Sequence, residues 1–376
     1  MISRYIDKQI LKQLKPGKVV TLLGARRTGK TVLMEKLRQT ISDKRIVLVD
    51  GENLDVAEAL SSQRAHILKR FVDGYDMLFI DEAQAIPNIG KNLKLLIDTV
   101  PGISVFITGS SSMDLRGQVG EPLTGRGYFP HLYPLAQLEL SKTEDYLQTK
   151  ERLEEKLIYG LYPQVFTAAT HDDKRQELIA IRDTYLLKDI LKMDNLKDSL
   201  FVFNLLRLIS FQIGNDVSYS ELAMHLNVNK KTVMRYLELL EKSYILFSLP
   251  GFSRNLRKEY TKTPRYYFRD NGIRNVVISN FNSLNLRDDV GRLWENYCIS
   301  ERIKKMEYTQ TPSNRYFWRT YDQKEIDFIE EREGKLYGFE FKWSKQKPKP
   351  PKDFLNTYRN SEYSLIHREN YLDFVA

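Results

Sequence analysis

Short runs of apolar residues alternate with amphipathic segments over the first third of the chain. The runs are rich in Val, Ile and Leu, which is typical of strands that are buried on both faces. The segments between them have the length of crossover helices, so the pattern predicts an α/β fold, a parallel sheet covered by helices, over residues 1–135. The strands are expected at Val19–Leu23, Ile46–Asp50, Met77–Asp81, Ile103–Gly109 and Tyr128–Tyr133.

The hydrophobic pattern changes after residue 135. Helical spacing dominates a segment that we place at 136–198, and a helix-turn-helix pattern followed by two short strands lies within 199–284. A helix and three strands then predict a second α/β domain at 285–376. The segments are Leu138–Leu196, Tyr219–Leu226, Lys230–Ser243, Tyr244–Leu249, Pro264–Arg269, Gly291–Met306, Tyr316–Arg319, Glu325–Ile329 and Leu336–Lys342.

Composition narrows the class of protein. A chain of 376 residues is too long for one ordinary core and predicts several domains. A single cysteine, Cys298, allows no internal disulfide and fits a reducing compartment, so we expect a cytoplasmic protein. We find neither a signal peptide nor an apolar stretch that would span a bilayer, and expect no membrane partner. The net charge of +9 favours a polyanionic partner.

A glycine-rich run follows the first predicted strand. It fits the pattern G-x-x-x-x-G-K-[ST], the P-loop, in which backbone N–H groups surround nucleotide phosphates. Lys30 is expected to contact the β- and γ-phosphates, and the Thr31 hydroxyl is expected to bind Mg²⁺. The chain is therefore predicted to bind ATP or GTP. The loop comprises Gly24, Ala25, Arg26, Arg27, Thr28, Gly29, Lys30 and Thr31.

Two further strand ends carry polar side chains. Asp81 ends an apolar strand and is expected to join the Mg²⁺ shell, while the adjacent Glu82 is placed to act as general base toward water. Thr108 lies at the end of the fourth strand and Ser110 directly after it, where a hydroxyl would bond the attacking water or the γ-phosphate. A serine-capped helix start explains that second pattern equally well.

An arginine, Arg126, lies in a glycine-rich turn before the fifth predicted strand, and Arg116 is the runner-up. In this position an arginine would reach the nucleotide site of a neighbouring subunit and stabilise charge on the transferred phosphate. Taken alone, the position favours an ordinary surface arginine in a glycine-rich turn.

Taken in order, these motifs resemble an AAA+ ATPase. They look more narrowly like bacterial and archaeal ATPases with a helical lid, a winged helix and a C-terminal restriction-endonuclease-like domain. The resemblance implies ATP and Mg²⁺ as cofactors, Arg126 as a finger acting between subunits, and a homo-oligomer, usually a hexamer. Arg175 and Arg182 are the only arginines of the expected lid that we single out as possible nucleotide sensors.

Basic residues cluster around the helix-turn-helix pattern. From residue 229 to 274 there are eleven Lys or Arg and four acidic residues, a net +7. The second helix offers its first turns to a DNA groove, and the loop between the two strands is basic. Packing against protein remains the alternative. The residues expected to contact DNA are Lys230, Lys231, Thr232, Arg235, Arg254, Arg257 and Lys258.

Acidic residues of the last domain form a further pattern. Asp327 is followed by Glu340 and Lys342, and Glu295 lies on the preceding helix. The arrangement resembles that of PD-(D/E)XK nucleases, which implies that the three carboxylates hold Mg²⁺ while Lys342 orients water. The same fold is also used by domains that no longer cleave.

The sequence therefore predicts a DNA-associated ATPase that couples hydrolysis to remodelling or moving DNA, with branched DNA as one possible substrate. An ATP-regulated, Mg²⁺-dependent endonuclease is the first alternative. The second is a regulatory nucleotide switch in which the winged helix contacts protein.

Overall fold

A five-stranded parallel sheet organises the N-terminal unit, Met1–Leu135. The computed structural model describes residues 2–109, 117, 119–186, 199–254, 263–320 and 324–376. The strand before the glycine-rich loop lies inside the sheet and is buried at every position, which confirms the predicted α/β class. In spatial order the strands are β2 (Ile46–Asp50), β3 (Met77–Asp81), β4 (Ser104–Gly109), β1 (Val19–Leu23) and β5 (Gly127–Tyr128).

The fifth strand is much shorter than the predicted Tyr128–Tyr133, so that prediction was wrong in extent. Pro130 has no N–H to give to the ladder, and regular pairing ends before it. The chain nevertheless stays beside β1, because Leu23 N donates to Pro130 O at 3.0 Å and Leu132 N donates to Leu23 O at 2.7 Å.

Helices link these strands in the manner expected of a parallel sheet. The helix that follows the glycine-rich loop begins at Lys30 itself, and another helix, Asp7–Gln13, precedes the first strand. A short 3₁₀ turn, Ala83–Ala85, follows β3. The helices are α1 (Asp7–Gln13), α2 (Lys30–Thr40), α3 (Leu54–Ser61), α4 (Ala65–Phe71) and α5 (Ile89–Thr99).

The second unit, Ala136–Ala376, begins with helices where helical spacing dominates the sequence. Asp145 and Thr170 cap two of them with side-chain hydrogen bonds to backbone N–H groups. A π-helical turn, Arg182–Leu186, ends the series. The helices are α6 (Gln137–Leu140), α7 (Tyr146–Glu151), α8 (Leu153–Tyr159), α9 (Pro163–Thr167) and α10 (His171–Ile181).

Three helices and a two-stranded antiparallel sheet follow in the chain. The Asn229 side chain accepts a hydrogen bond from Thr232 N and so fixes the start of the third helix. This order of elements agrees with the predicted helix-turn-helix and strand pair. The elements are α11 (Ser199–Phe211), α12 (Tyr219–His225), α13 (Lys230–Lys242), β6 (Leu246–Leu249) and β7 (Arg265–Phe268).

The last part of the chain forms a four-stranded mixed sheet with a hydrophobic core. The strands lie in the order β11-β10-β9-β8; β10 runs parallel to β11 and antiparallel to β9. The core includes Trp318, Ile326 and Phe354. The elements are α14 (Asn271–Val277), α15 (Val290–Tyr308), β8 (Asn314–Arg319), β9 (Glu325–Arg332), β10 (Lys335–Phe341), α16 (Lys352–Thr357), β11 (Ser361–Ile366) and α17 (Tyr371–Val375).

Buried polar contacts join the first helices of the second unit to α14 and α15. Leu161 N donates to Asp270 at 2.6 Å, and Gln137 N donates to Glu301 at 2.6 Å. Since such groups are costly to bury without partners, these bonds hold the segment firmly within its unit. The four-part division of the chain at residues 135, 198 and 284 stays a prediction.

Candidate functional site

The glycine-rich loop connects β1 to α2. Three of its residues have a positive φ angle. Gly24 has φ 157°, Arg27 has φ 62° and Gly29 has φ 95°. A Cβ added to Gly24 would lie 2.3 Å from the carbonyl oxygen of Leu132, so only glycine fits there. Thr28 Oγ1 donates to Ala25 O at 2.8 Å and closes the loop on itself.

Lys30 lies under this loop with 5% of its surface exposed. Its Nζ donates to Gly24 O at 3.0 Å and to Ala25 O at 2.9 Å. Burial lowers the pKa of Lys30 to about 8, although the nearby carboxylates of Glu82 and Asp81 act in the opposite direction.

The Asp81 carboxylate joins three parts of the site. Thr31 Oγ1 donates to Asp81 Oδ2 at 2.7 Å, and Thr108 Oγ1 donates to Asp81 Oδ1. Glu82 N also donates to Asp81 Oδ1 at 3.2 Å. Thr31 and Asp81, the two residues predicted as Mg²⁺ ligands, therefore lie in contact, and both offer the hard oxygen atoms that Mg²⁺ prefers. Ser110 lies outside the described residues.

Glu82 has a left-handed backbone, with φ 47°, directly after β3. Gln84 Nε2 donates to its carboxylate and holds the side chain half-buried beside the strand end. The turn at Glu82 packs closely on the chain after β2, because a Cβ on Gly51 would lie 2.7 Å from Glu82 O. The predicted general base is thus held next to the Asp81 cluster.

Arg126 is exposed on its turn and pairs with Asp98 of α5. Its backbone is fixed at the start of β5, because Val19 N donates to Arg126 O at 3.0 Å. The guanidinium therefore lies at the surface in an ion pair, and its action on a neighbouring subunit stays a prediction. Arg116, the runner-up, lies outside the described residues, whereas Arg175 pairs with Asp172 and Arg182 with Asp183.

The predicted DNA-contacting residues that the structure describes lie mainly at the surface. The side chains of Lys230, Lys231 and Arg235 are exposed along the first turns of α13, while Thr232 bonds Asn229 through its backbone and its hydroxyl. Arg254 is exposed and its guanidinium lies 5.4 Å from the centre of the Tyr358 ring. Arg257 and Lys258 lie outside the described residues.

The acidic residues of the last domain lie near one another. Phe341 N donates to Asp327 at 2.9 Å, which brings Asp327 beside the end of β10, and Lys342 pairs with Glu340 at 3.0 Å. Burial, together with repulsion from the Asp327 carboxylate, raises the pKa of Glu295 to about 8. Burial also raises the pKa of Asp327, to about 6.

Protein donors already occupy part of this acidic cluster. Tyr267 Oη donates to Glu295 at 2.7 Å, and Tyr363 Oη donates to Glu340 at 2.7 Å. Across the described ranges, no group of three or more Asp, Glu, His or Cys side chains has an arrangement that holds a metal ion. The metal role of Glu295, Asp327 and Glu340 stays a prediction.

Comparison with known proteins agrees with the geometry of the first unit. Residues 16–141 match the family model described as "AAA domain". The N-terminal unit is an AAA+ P-loop ATPase domain. Residues 150–284 and 290–372 match two models described as domains of unknown function, DUF8612 and DUF4143. The winged-helix and nuclease-like assignments therefore remain proposals for the rest of the chain.

Relatives and solved structures cover most of the chain. An uncharacterized protein of Mycobacterium tuberculosis is 27% identical, over 89% of this chain and 72% of its own length. One from Methanocaldococcus jannaschii is 23% identical, over 87% and 75%. The Walker-type ATPase of Pyrococcus abyssi overlaps 74% of this chain and 96% of its own, with 14% identity and a TM-score of 0.47.

Several residues of the sites escaped the sequence interpretation. Gln84 follows the recognised carboxylates closely, but no pattern in the sequence ties it to Glu82. Tyr267 and Tyr363 reach the acidic residues of the last domain from other strands. Arg4 contacts the glycine-rich loop from before α1.

The described helices include none that is long and apolar enough to cross a bilayer.

We predict that Gly24→Ala abolishes measurable ATP binding or weakens it by roughly a hundredfold, since forcing an extra methyl group into a close-packed site costs about 1–3 kcal/mol or more, and about 1.4 kcal/mol is tenfold in affinity. The added methyl would overlap the Leu132 carbonyl and push the loop from its path. Binding of a fluorescent ATP analogue measures the change. Gly102→Ala is the matched control, because nothing lies within 4 Å of its added Cβ. Unchanged affinity in Gly24→Ala would contradict the account of the loop.

Proposed function

We propose that this AAA+ ATPase couples ATP hydrolysis to remodelling or translocation of DNA. The observation that carries the proposal is the row of exposed cations on α13, Lys230, Lys231 and Arg235, at the start of a capped helix. A helix that presents its first turns in this way suits a DNA groove. Branched DNA is one class of substrate that a motor with these parts would act on.

The buried and exposed faces of α13 support this use. Val233, Tyr236, Leu237 and Leu240 face the interior of the unit, so the side chains of Lys230, Lys231 and Arg235 lie on the opposite, exposed side of the helix. Cations at this density attract phosphate groups, and their contribution falls as salt rises. The helix carries few side chains that read base edges, which favours recognition of DNA structure over sequence.

The ATPase residues have distinct proposed roles. Lys30 binds the phosphates and Glu82 acts as general base toward water, while Thr108 holds Asp81 in place. Thr31 and Asp81 would hold Mg²⁺, which neutralises charge on the phosphates when it is bound. Because Thr108 donates to Asp81, we assign it to orienting this carboxylate.

We predict that replacing Lys230, Lys231 and Arg235 together by alanine lowers the dependence of DNA affinity on salt. Each lost phosphate contact reduces the slope of log K against log salt by about one, so the triple variant should lose roughly two to three. Fluorescence anisotropy with duplex and four-way-junction DNA at several salt concentrations measures this slope.

The matched control replaces three exposed cations elsewhere, Lys69, Arg70 and Lys150, by alanine. It changes the net charge equally and should leave the slope near that of the unaltered protein. Equal slopes in the two triple variants would overturn the DNA-contact assignment of α13. They would instead favour a regulatory switch in which this helix contacts protein.

We further propose that the active form is a ring, with a hexamer as the expected size, in which Arg126 acts on the neighbour's nucleotide. Its exposure, and its pairing with an acid that is itself exposed, Asp98, support this role. A finger that acts between subunits makes each ATPase site depend on two chains. The arrangement can therefore be tested by mixing inactive chains.

We predict that Arg126→Ala and Glu82→Gln each reduce ATP turnover by about a thousandfold, while a one-to-one mixture regains about a quarter of normal turnover. In the mixture an intact Glu82 site can receive Arg126 from the other variant. Turnover is measured after co-assembly. A mixture as inactive as its components, with assembly intact, would exclude action between subunits.

An ATP-regulated endonuclease is the second candidate. A cleft of about 370 Å³ beside Glu340 and Lys342 is also lined by Lys347 and Lys349, so cations and a carboxylate share one depression. Cleavage would have to disappear in Glu340→Ala and Asp327→Ala to be assigned to this site.

A further inference from the structure

An arginine outside every recognised motif contacts the phosphate-binding loop. Arg4 precedes α1, and only 8% of its surface is exposed. Its guanidinium donates from one Nη atom to Thr28 O at 2.8 Å and from the other to Tyr133 O at 2.5 Å. These two carbonyls belong to segments far from Arg4 in sequence, so the guanidinium connects three separate pieces of the chain.

The two carbonyl groups belong to the parts of the unit that shape the loop. Thr28 lies between Arg27 and Gly29, both of which have positive φ. Tyr133 follows Leu132, whose carbonyl oxygen occupies the space beside Gly24. The guanidinium also lies close under the loop, since a Cβ on Gly29 would be 3.8 Å from its Nη1 atom.

We propose that Arg4 is a positioning residue for the phosphate loop, fixing the peptide groups around Thr28 so that the loop is preformed for nucleotide. The inference rests on the ATPase function of this unit. The guanidinium bonds carbonyl oxygens of the loop and of the segment beside it, so Arg4 acts through the loop. Its effect is on nucleotide affinity, because a loop that must be ordered on binding weakens that binding.

The geometry calls for an arginine in particular. A guanidinium is planar and presents its N–H groups in a fixed fork, so it can satisfy two carbonyls in different directions at once. A lysine at this position would keep the positive charge but lose the fork. A glutamine would lose the charge and most of the reach. The two substitutions therefore separate charge from geometry.

The experiment compares Arg4→Gln and Arg4→Lys with the unaltered protein. We expect Arg4→Gln to raise both the Kd for a fluorescent ATP analogue and the KM for ATP by at least about tenfold, and Arg4→Lys to recover only part of the loss. The kcat at saturating ATP should change by less than about threefold, because the reacting groups are intact. Melting temperatures without nucleotide report folding.

Arg38→Gln is the matched control. Arg38 lies on α2, the helix that follows the loop, but its side chain is exposed and pairs with Glu35 at 3.0 Å. It should bind nucleotide normally. Normal Kd and KM in folded Arg4→Gln would overturn the proposal, and so would a fall in kcat with KM unchanged. If Arg4→Gln does not fold, the same criteria apply to Arg4→Lys. Failure of the unaltered protein to bind ATP would instead refute the ATPase function.

Discussion

The Asp81 carboxylate is the contact on which the ATPase site depends. The sheet order places β4 between β1 and β3, so the ends of all three strands converge. Thr31 and Thr108 reach the same carboxylate from the two sides, and the backbone of Glu82 caps it. This junction sets the distance between the phosphate loop and the proposed base, because neither can move without breaking its bonds to Asp81.

Glycine and close backbone packing make that junction possible. Gly24 admits the carbonyl of Leu132, and Gly51 admits the carbonyl of Glu82. In the second unit, buried polar bonds have the corresponding role: Asp270 and Glu301 bind backbone N–H groups of the first helices. Those helices were expected to act as a lid, so any motion within the unit would have to break bonds that are costly to leave unmade.

Local patterns predicted the parts of the molecule that local forces decide. The strands β1 to β3, the glycine-rich loop and the helices α12 and α13 could be predicted from the sequence, because apolar runs and glycine spacing act over a few residues. The extent of β5 was not predicted correctly, because regular pairing ends before Pro130 although the hydrophobic pattern continues. Arg4 was missed because its contact with Tyr133 spans 129 residues and has no motif. The acidic cluster was located, but its tyrosine donors come from distant strands.

The most direct test of the account is the rate of ATP hydrolysis with and without DNA, measured in one series on single-stranded, duplex and four-way-junction DNA. The account predicts that at least one DNA form raises kcat, and that raising the salt concentration removes the stimulation together with DNA binding. Lys30→Ala should be inactive throughout. Turnover that is steady and indifferent to every DNA form would contradict the coupling of this ATPase to DNA.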